Sequence, residues 1–367
     1  FPYTTLFRSS TEGTKIAEGT PREVFTNYSE IIIKEGIWMP QTAILYYELE
    51  KNGITLDKVP LTISEAINSI KNLKNFPINK KSINSDKTSN ELLINNQSVL
   101  KIDNLSFSYD KYKVLNSISL NIDSGDFLAI VGTNGAGKTT LAKHMVNIIE
   151  PPKNKVFIDN NDISKISSKK LSKKIGYVFQ NPEHQFIKDT IEEQLSFGLK
   201  LRGFSDNQID DWLNKTLKQF DIENYRNKSP YMLSHGQKRL LSVATMLTLG
   251  QDILILDEPT FGQDFKSSTN LLNFLKSLNE EGKTIIMITH DMSLVEKYAN
   301  KVVVMNKGKI IFEGITKDFF KHDEILKEAA LTLPPLLKLS KSLAEYDENL
   351  RGISSPEEFS YYFNQVE

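Results

Sequence analysis

One nine-residue stretch, Gly132-Thr133-Asn134-Gly135-Ala136-Gly137-Lys138-Thr139-Thr140, limits what this chain can fold into more than any other. It fits the pattern G-x-x-x-x-G-K-[ST], with one further glycine inside the loop. The pattern has physical meaning only between a strand and a helix, and both flanks can be read. Asp126-Phe-Leu-Ala-Ile-Val131 is a short apolar run of strand formers, and Leu141 to Ile149 carries apolar residues at helical spacing. Glycines let backbone N–H groups curl round an anion without a Cβ clash, and the helix beginning there adds its positive end. In this reading Gly132, Asn134, Gly135, Gly137 and Thr140 shape a phosphate cradle, Lys138 neutralises phosphate oxygens, and the Thr139 hydroxyl is offered to Mg²⁺.

The rest of the composition mainly excludes. With 45 basic and 46 acidic residues the net charge is −1, so nothing demands a nucleic-acid partner. The longest apolar runs, such as Thr284 to Ile288 and Val302 to Met305, fall well short of the roughly 20 residues that span a bilayer. The absence of cysteine removes disulfide and thiolate chemistry. Five histidines are present, with no pair at metal-ligand spacing.

Taken in order, Phe1 to Ser9 lacks the basic start and long apolar core of a signal peptide. Back-translated, it matches one frame of a common sequencing adapter, so residues 1–9 are expected to be non-native. Residues 10–70 gain meaning beside the C-terminus. Lys15-Ile-Ala-Glu-Gly19 lines up with Lys309-Ile-Ile-Phe-Glu-Gly314, Met39-Pro40 with Leu333-Pro334, and Thr62-Ile-Ser-Glu65 with Ser354-Ser-Pro-Glu357. The order is preserved over about fifty positions, which predicts that 10–70 is the tail of a first, truncated copy of a domain. Residues 71–98 are polar and aperiodic and read as a flexible linker. A complete domain is expected over 99–325, with a helical insertion at about 186–250, and a helical tail over 326–367. Leu100 to Tyr109 and Val114 to Ile122 alternate as two half-buried strands ahead of the loop, and later strands are expected near 155–158, 175–179, 252–256, 284–288 and 302–305.

Ile253-Leu-Ile-Leu-Asp257-Glu258-Pro259 is an apolar strand ending in two carboxylates. Buried parallel strands read as continuous apolar runs, and ligands bind at their carboxyl ends. Asp257 therefore completes a Mg²⁺ shell with Thr139, and Glu258 is placed to polarise an attacking water. Tyr231-Met-Leu-Ser234-His235-Gly236-Gln237-Lys238-Arg239 supplies a second helix N-terminus. There Ser234 stands at the cap, and Gly236 permits close approach of an anion.

The order of phosphate loop, Gln180 in Val178-Phe-Gln180-Asn-Pro, Leu-Ser-His-Gly-Gln, Asp-Glu-Pro and Thr289-His290-Asp291 resembles the ATP-binding cassette (ABC) nucleotide-binding domain over about residues 99–325. The resemblance implies an α/β P-loop NTPase core with an antiparallel β edge, a helical insertion and a small C-terminal helical tail. It also implies ATP and Mg²⁺ as ligands and ATP hydrolysis coupled to transport. By it, Tyr109 stacks on adenine, Gln180 joins the Mg²⁺ and water shell and couples it to a membrane partner, and His290 contacts the γ-phosphate. Ser234, Gly236 and Gln237 grip the γ-phosphate held by a second cassette, and Asp264 crosses the interface between the two.

Histidine at 235 departs from the family's glycine and is expected to be tolerated, because it can take helical dihedrals. Pro259-Thr-Phe261-Gly262-Gln263-Asp264 and Thr190 to Gly198 look like the ATPase of energy-coupling-factor importers for vitamins or metal ions, where two cassettes can be fused in one chain. Expected partners are then a second cassette, a transmembrane coupling subunit and a separate substrate-binding membrane protein, with the chain peripheral on the cytoplasmic face. The alternative is a soluble cassette ATPase acting on ribosomes or DNA; the absence of a basic tail or long charged insertion argues against it.

Overall fold

The computed structural model describes residues 6–9, 15–73, 76 and 97–366. They divide into two compact units. The larger comprises residues 97–263 and 267–332; the other joins the N-terminal segment to 264–266 and 333–366.

The N-terminal segment begins with strands β1 (Leu6–Ser9) and β2 (Lys15–Gly19), which pair antiparallel. Helix α1 (Pro21–Asn27) follows a capping box in which Thr20 and Glu23 satisfy each other's backbone N–H groups. Next come α2 (Ser29–Lys34), α3 (Gln41–Lys51) and α4 (Ile63–Lys71). The expected linker at 71–98 falls largely outside the described residues. Its described edges differ from expectation: Lys71 closes α4, Phe76 is buried against Leu336 and Phe363, and Ser98 already lies in a strand.

The larger unit opens with the hairpin of β3 (Ser98–Tyr109) and β4 (Tyr112–Asp123), which leads into β5 (Phe127–Gly132), the glycine loop and α5 (Lys138–Met145). Strands β6 (Val156–Ile158) and β7 (Asn161–Asp162) complete an antiparallel sheet in the order β4-β3-β6-β7. After the short α6 (Ser168–Leu171) comes β8 (Ile175–Val178). The helical insertion follows as α7 (Ile191–Leu201), α8 (Asp206–Gln219) and α9 (His235–Thr248). The chain then alternates through β9 (Ile253–Asp257), α10 (Phe265–Glu280), β10 (Thr284–Ile288) and α11 (Met292–Tyr298). It ends in β11 (Lys301–Asn306), β12 (Lys309–Ile315), α12 (Thr316–Phe319) and α13 (Asp323–Glu328).

The second sheet has the order β12-β11-β5-β10-β9-β8, parallel throughout except for the β11–β12 edge. Every residue of β5, β9 and β10 is buried, which explains their unbroken apolar runs. The register sets Ile288 opposite both Asp257 and Ile130, so the carboxyl ends of three central strands reach one level. That edge carries the glycine loop, Asp257-Glu258 and His290, as an open α/β sheet requires.

Helices α14 (Pro335–Leu343) and α15 (Pro356–Val366) return to the smaller unit. Leu45, Leu49 and Ile70 share a core there with Leu336, Leu339, Leu343, Phe359 and Phe363.

Candidate active site

The glycine loop is fixed by backbone geometry. Gly132 sits at φ 140°, and a Cβ on it would lie 2.0 Å from the Met305 carbonyl oxygen. Gly137, at φ 99°, precedes α5 in the left-handed region, with Val114 O and Leu115 Cδ2 each 2.9 Å from where a Cβ would stand. No other residue type fits either position. Lys138 is 8 % exposed and donates to Gly132 O at 2.8 Å and Thr133 O at 3.0 Å. Burial pulls its ammonium below the ordinary lysine range, and the Glu258 and Asp257 carboxylates counter that pull.

Around this loop lies a cleft of about 720 Å³. All residues from Gly132 to Thr140 line it, together with Gln180, Asp257, Glu258 and His290. Thr139 Oγ1 donates to Asp257 Oδ2 at 2.8 Å, so the two expected metal-shell residues are already in contact. Glu258 has φ 47°, a left-handed conformation costing about 1–2 kcal/mol in a non-glycine residue. Its backbone N–H donates to Ile288 O at 2.9 Å, and its Oε1 lies 3.0 Å from His290 Nδ1. The strained turn thus points the carboxylate into the cleft beside the imidazole.

Two residues to which sequence reading assigned no role complete this centre. Tyr177, in β8, donates its hydroxyl to Asp257 Oδ2 at 2.9 Å. Burial, and then the Asp257 charge, push its phenol far above the ordinary tyrosine range. Arg239, in α9, is wholly buried and donates to the carbonyls of Phe179 and Gln180, and at 3.3 Å to that of Glu258. Burial lowers its guanidinium to about 10, against the opposing pull of Asp257 and Glu258. The available signal for both was a polar head within or beside a buried apolar run, but pairing it needs a strand order that sequence does not state.

The remaining expected residues stand elsewhere. Ser234 caps α9 through a box with Gln237, and His235 takes the first helical position without disturbing it. Gly236 has a packing reason as well, since a Cβ there would meet Ser267 Oγ at 2.5 Å. None of the three positions Ser234, Gly236 and Gln237 lines the cleft. Tyr109, 46 % exposed and edge-on to Phe107 at 4.8 Å, does not line it either, and Asp264 falls in the smaller unit. Ala330, Leu331 and Thr332 do line the cleft, so the larger unit runs past the expected boundary at 325.

The donor set suits ATP with Mg²⁺. A hydroxyl, a carboxylate and the Gln180 amide are oxygen ligands, and Mg²⁺ takes one or two carboxylates with phosphate and water supplying the rest. Among the described residues there is no cluster of three His, Asp or Glu that would hold a metal by itself. Sheet, glycine loop and strand-ending acids together define a P-loop nucleoside triphosphatase core.

The model of the "ABC transporter" family matches residues 115–261. An ABC transporter ATP-binding protein of Caldanaerobacter subterraneus subsp. tengcongensis is 34 % identical over 342 residues, covering 91 % of this chain and 58 % of that protein. A Bacillus subtilis protein named for HMP/thiamine import is 32 % identical over 325 residues, 88 % of this chain and 55 % of its own length. The solved structure of cbiO1 from Clostridium perfringens, described as part of the ABC transporter complex cbiONQ, is 34 % identical with a TM-score of 0.56. That match covers 65 % of this chain and 96 % of cbiO1. The chain belongs to the ABC transporter ATPase family, and it spans about half the length of the curated relatives it matches.

Proposed function

We propose that this chain binds and hydrolyses ATP as the motor of an ABC importer of energy-coupling-factor type, driving uptake of a vitamin or metal ion through a separate membrane subunit. The observation that carries the hydrolytic part is the convergence of Thr139, Asp257, Glu258 and His290 on the glycine-loop cleft. The import part draws on the B. subtilis relative named for HMP/thiamine import and on cbiO1. No helix among the described residues is long and apolar enough to cross a membrane, which suits a peripheral subunit on the cytoplasmic face.

The residues divide the work. The loop N–H groups and Lys138 hold the phosphates. Thr139, Asp257 and Gln180 would hold Mg²⁺, which when bound neutralises charge on the β- and γ-phosphates. Glu258 accepts a proton from the attacking water, and His290 orients that carboxylate. Ser234, Gly236 and Gln237 form an anion-ready helix end that does not line this chain's own cleft, which supports a site completed by a second cassette. Residues 10–70 we read as the tail of a first cassette in a tandem arrangement, with Asp264 reaching across the pair and Tyr109 stacking on the base.

Steady-state ATPase measured against protein concentration tests the composite site: the rate per molecule should rise as copies pair. Glu258→Gln should lower turnover by about 10²–10⁴-fold and spare ATP binding. A fast rate unchanged by dilution would refute the composite site, and turnover within threefold of wild type in the variant would remove Glu258 from its role.

A further inference from the structure

We propose that Tyr177 is a positioning residue for Asp257, holding this carboxylate for the metal and tying it to the loop that follows Gln180. The proposal rests on the ATP-and-Mg²⁺ reading above and adds a residue to it. Tyr177 is 6 % exposed, and its strand lies beside β9 with Tyr177 opposite Ile255, two residues before Asp257. Its hydroxyl at 2.9 Å and that of Thr139 at 2.8 Å both donate to the same atom, Asp257 Oδ2. Two donors on one oxygen fix the rotation of a carboxylate that is itself 5 % exposed.

The other end of Tyr177 faces the loop. Its backbone carbonyl accepts from Gln185 Nε2 at 3.2 Å, and the Gln185 carbonyl accepts from Gln194 Nε2 at 3.1 Å. Gln194 Oε1 in turn accepts from the backbone N–H groups of Ile187 at 2.9 Å and Lys188 at 3.2 Å. Gln185 and Gln194 are 8 % and 2 % exposed, so this relay runs through the interior. A tyrosine serving only as core filler would need its ring, which packs edge-on to Phe179 at 4.9 Å, and not its hydroxyl.

Tyr177→Phe separates the two roles, because it keeps the ring and deletes one oxygen. Binding of a fluorescent ATP analogue is titrated with Mg²⁺, and again in EDTA. The half-saturating Mg²⁺ concentration should rise about tenfold, as expected for loss of one hydrogen bond to a charged group. Metal-free binding should stay within about twofold, because the phosphate loop is untouched. Hydrogen exchange at 181–188 should stay as in the wild type, because the Tyr177 carbonyl that holds Gln185 is kept. An unchanged Mg²⁺ half-saturation overturns the proposal, and so does an equal loss of binding with and without metal, which would mark a purely structural role. The readout is binding, so absence of turnover in the wild type would defeat the functional reading alone.

Discussion

Replacing Arg239 by Met asks how much of the catalytic geometry hangs on one buried cation. Arg239 is fully enclosed, and its guanidinium bonds to the carbonyls of Phe179, Gln180 and Glu258. Methionine fills much of the same channel but donates nothing. Gln180 is exposed and Phe179 and Glu258 are half-buried, so their carbonyls recover part of their hydration; each lost bond then costs about 1 kcal/mol, the low end of the range. Relief of the buried charge offsets part of this sum. The net loss is about 2 kcal/mol, or about 4–8 °C in Tm for a unit of this size. Catalysis should suffer more than stability, because the third carbonyl belongs to Glu258, whose φ of 47° is strained. If that turn relaxes, the carboxylate swings away, and a displacement of about 1 Å can cost about 10²-fold in rate. ATP affinity should stay within threefold, since none of the three carbonyls belongs to the glycine loop. Steady-state ATPase at several ATP concentrations, run well below the variant's Tm, separates kcat from KM. Wild-type kcat in Arg239→Met would refute the link, as would parallel loss of kcat and ATP affinity. Arg239→Lys, which keeps the charge but not the planar fork, should fall between.

Other perturbations probe the framework. Gly198 on α7 meets α9 so closely that an added Cβ would lie 2.0 Å from Thr248 Oγ1 and 2.8 Å from Thr248 Cβ. Gly198→Ala should therefore destabilise by about 1–3 kcal/mol in a thermal melt, and Thr248→Ala in that background should restore only part, because its Cβ remains. His144 is wholly buried beside Phe107, and burial, countered in part by the Ile149 backbone, lowers its pKa. The unfolded imidazole takes up a proton as pH drops below about 6.5 while the folded one resists, so stability declines over that range at up to about 1.4 kcal/mol per pH unit. His144→Leu should flatten the decline in Tm between pH 7 and 5; an identical slope would refute the assignment.

What could be read from sequence was whatever is local along the chain. The glycine loop, the cap at Ser234 and the strand ending in Asp257-Glu258 are each written within a few residues; the loop and the two acids line one cleft, and Ser234 caps α9. Tyr177 and Arg239 were hidden because Tyr177's partner stands 80 positions away and Arg239's stand 60, 59 and 19 away, and they become neighbours only through the β8–β9 pairing and the packing of α9. Position 235 shows the converse. A histidine replaces the family's glycine there, and the capping box spans Ser234 and Gln237 without involving its side chain. Gly236, next to it, has no such latitude, because Ser267 occupies the space a side chain would need.

The repeat between the N- and C-terminal segments acquires a physical content in the smaller unit. Pro40 caps α3 at φ −55°, ψ 135°, and Pro334 caps α14 at φ −49°, ψ 143°, so the aligned prolines start equivalent helices. The second helix start needs a one-residue correction. Thr62 Oγ1 accepts from Glu65 N at 3.2 Å, and the matching bond runs from Glu358 N to Ser355 Oγ at 3.1 Å, so Ser355, rather than Ser354, is the counterpart of Thr62. The pairing is crosswise: α3 packs on α15 and α4 on α14. Each segment thus uses the other to cover its apolar side, as two copies related by a twofold axis would. A core built this way cannot be halved. Leu343→Asp, a charge placed among Leu45, Leu49 and Ile70, should unfold both helix pairs together. Limited proteolysis should then cut within 41–71 as readily as within 335–366, while ATP-analogue binding by residues 94–332 persists. Cleavage confined to the C-terminal helices would show that the two segments are stable apart, and would remove the main physical support for reading residues 10–70 as the tail of a first cassette.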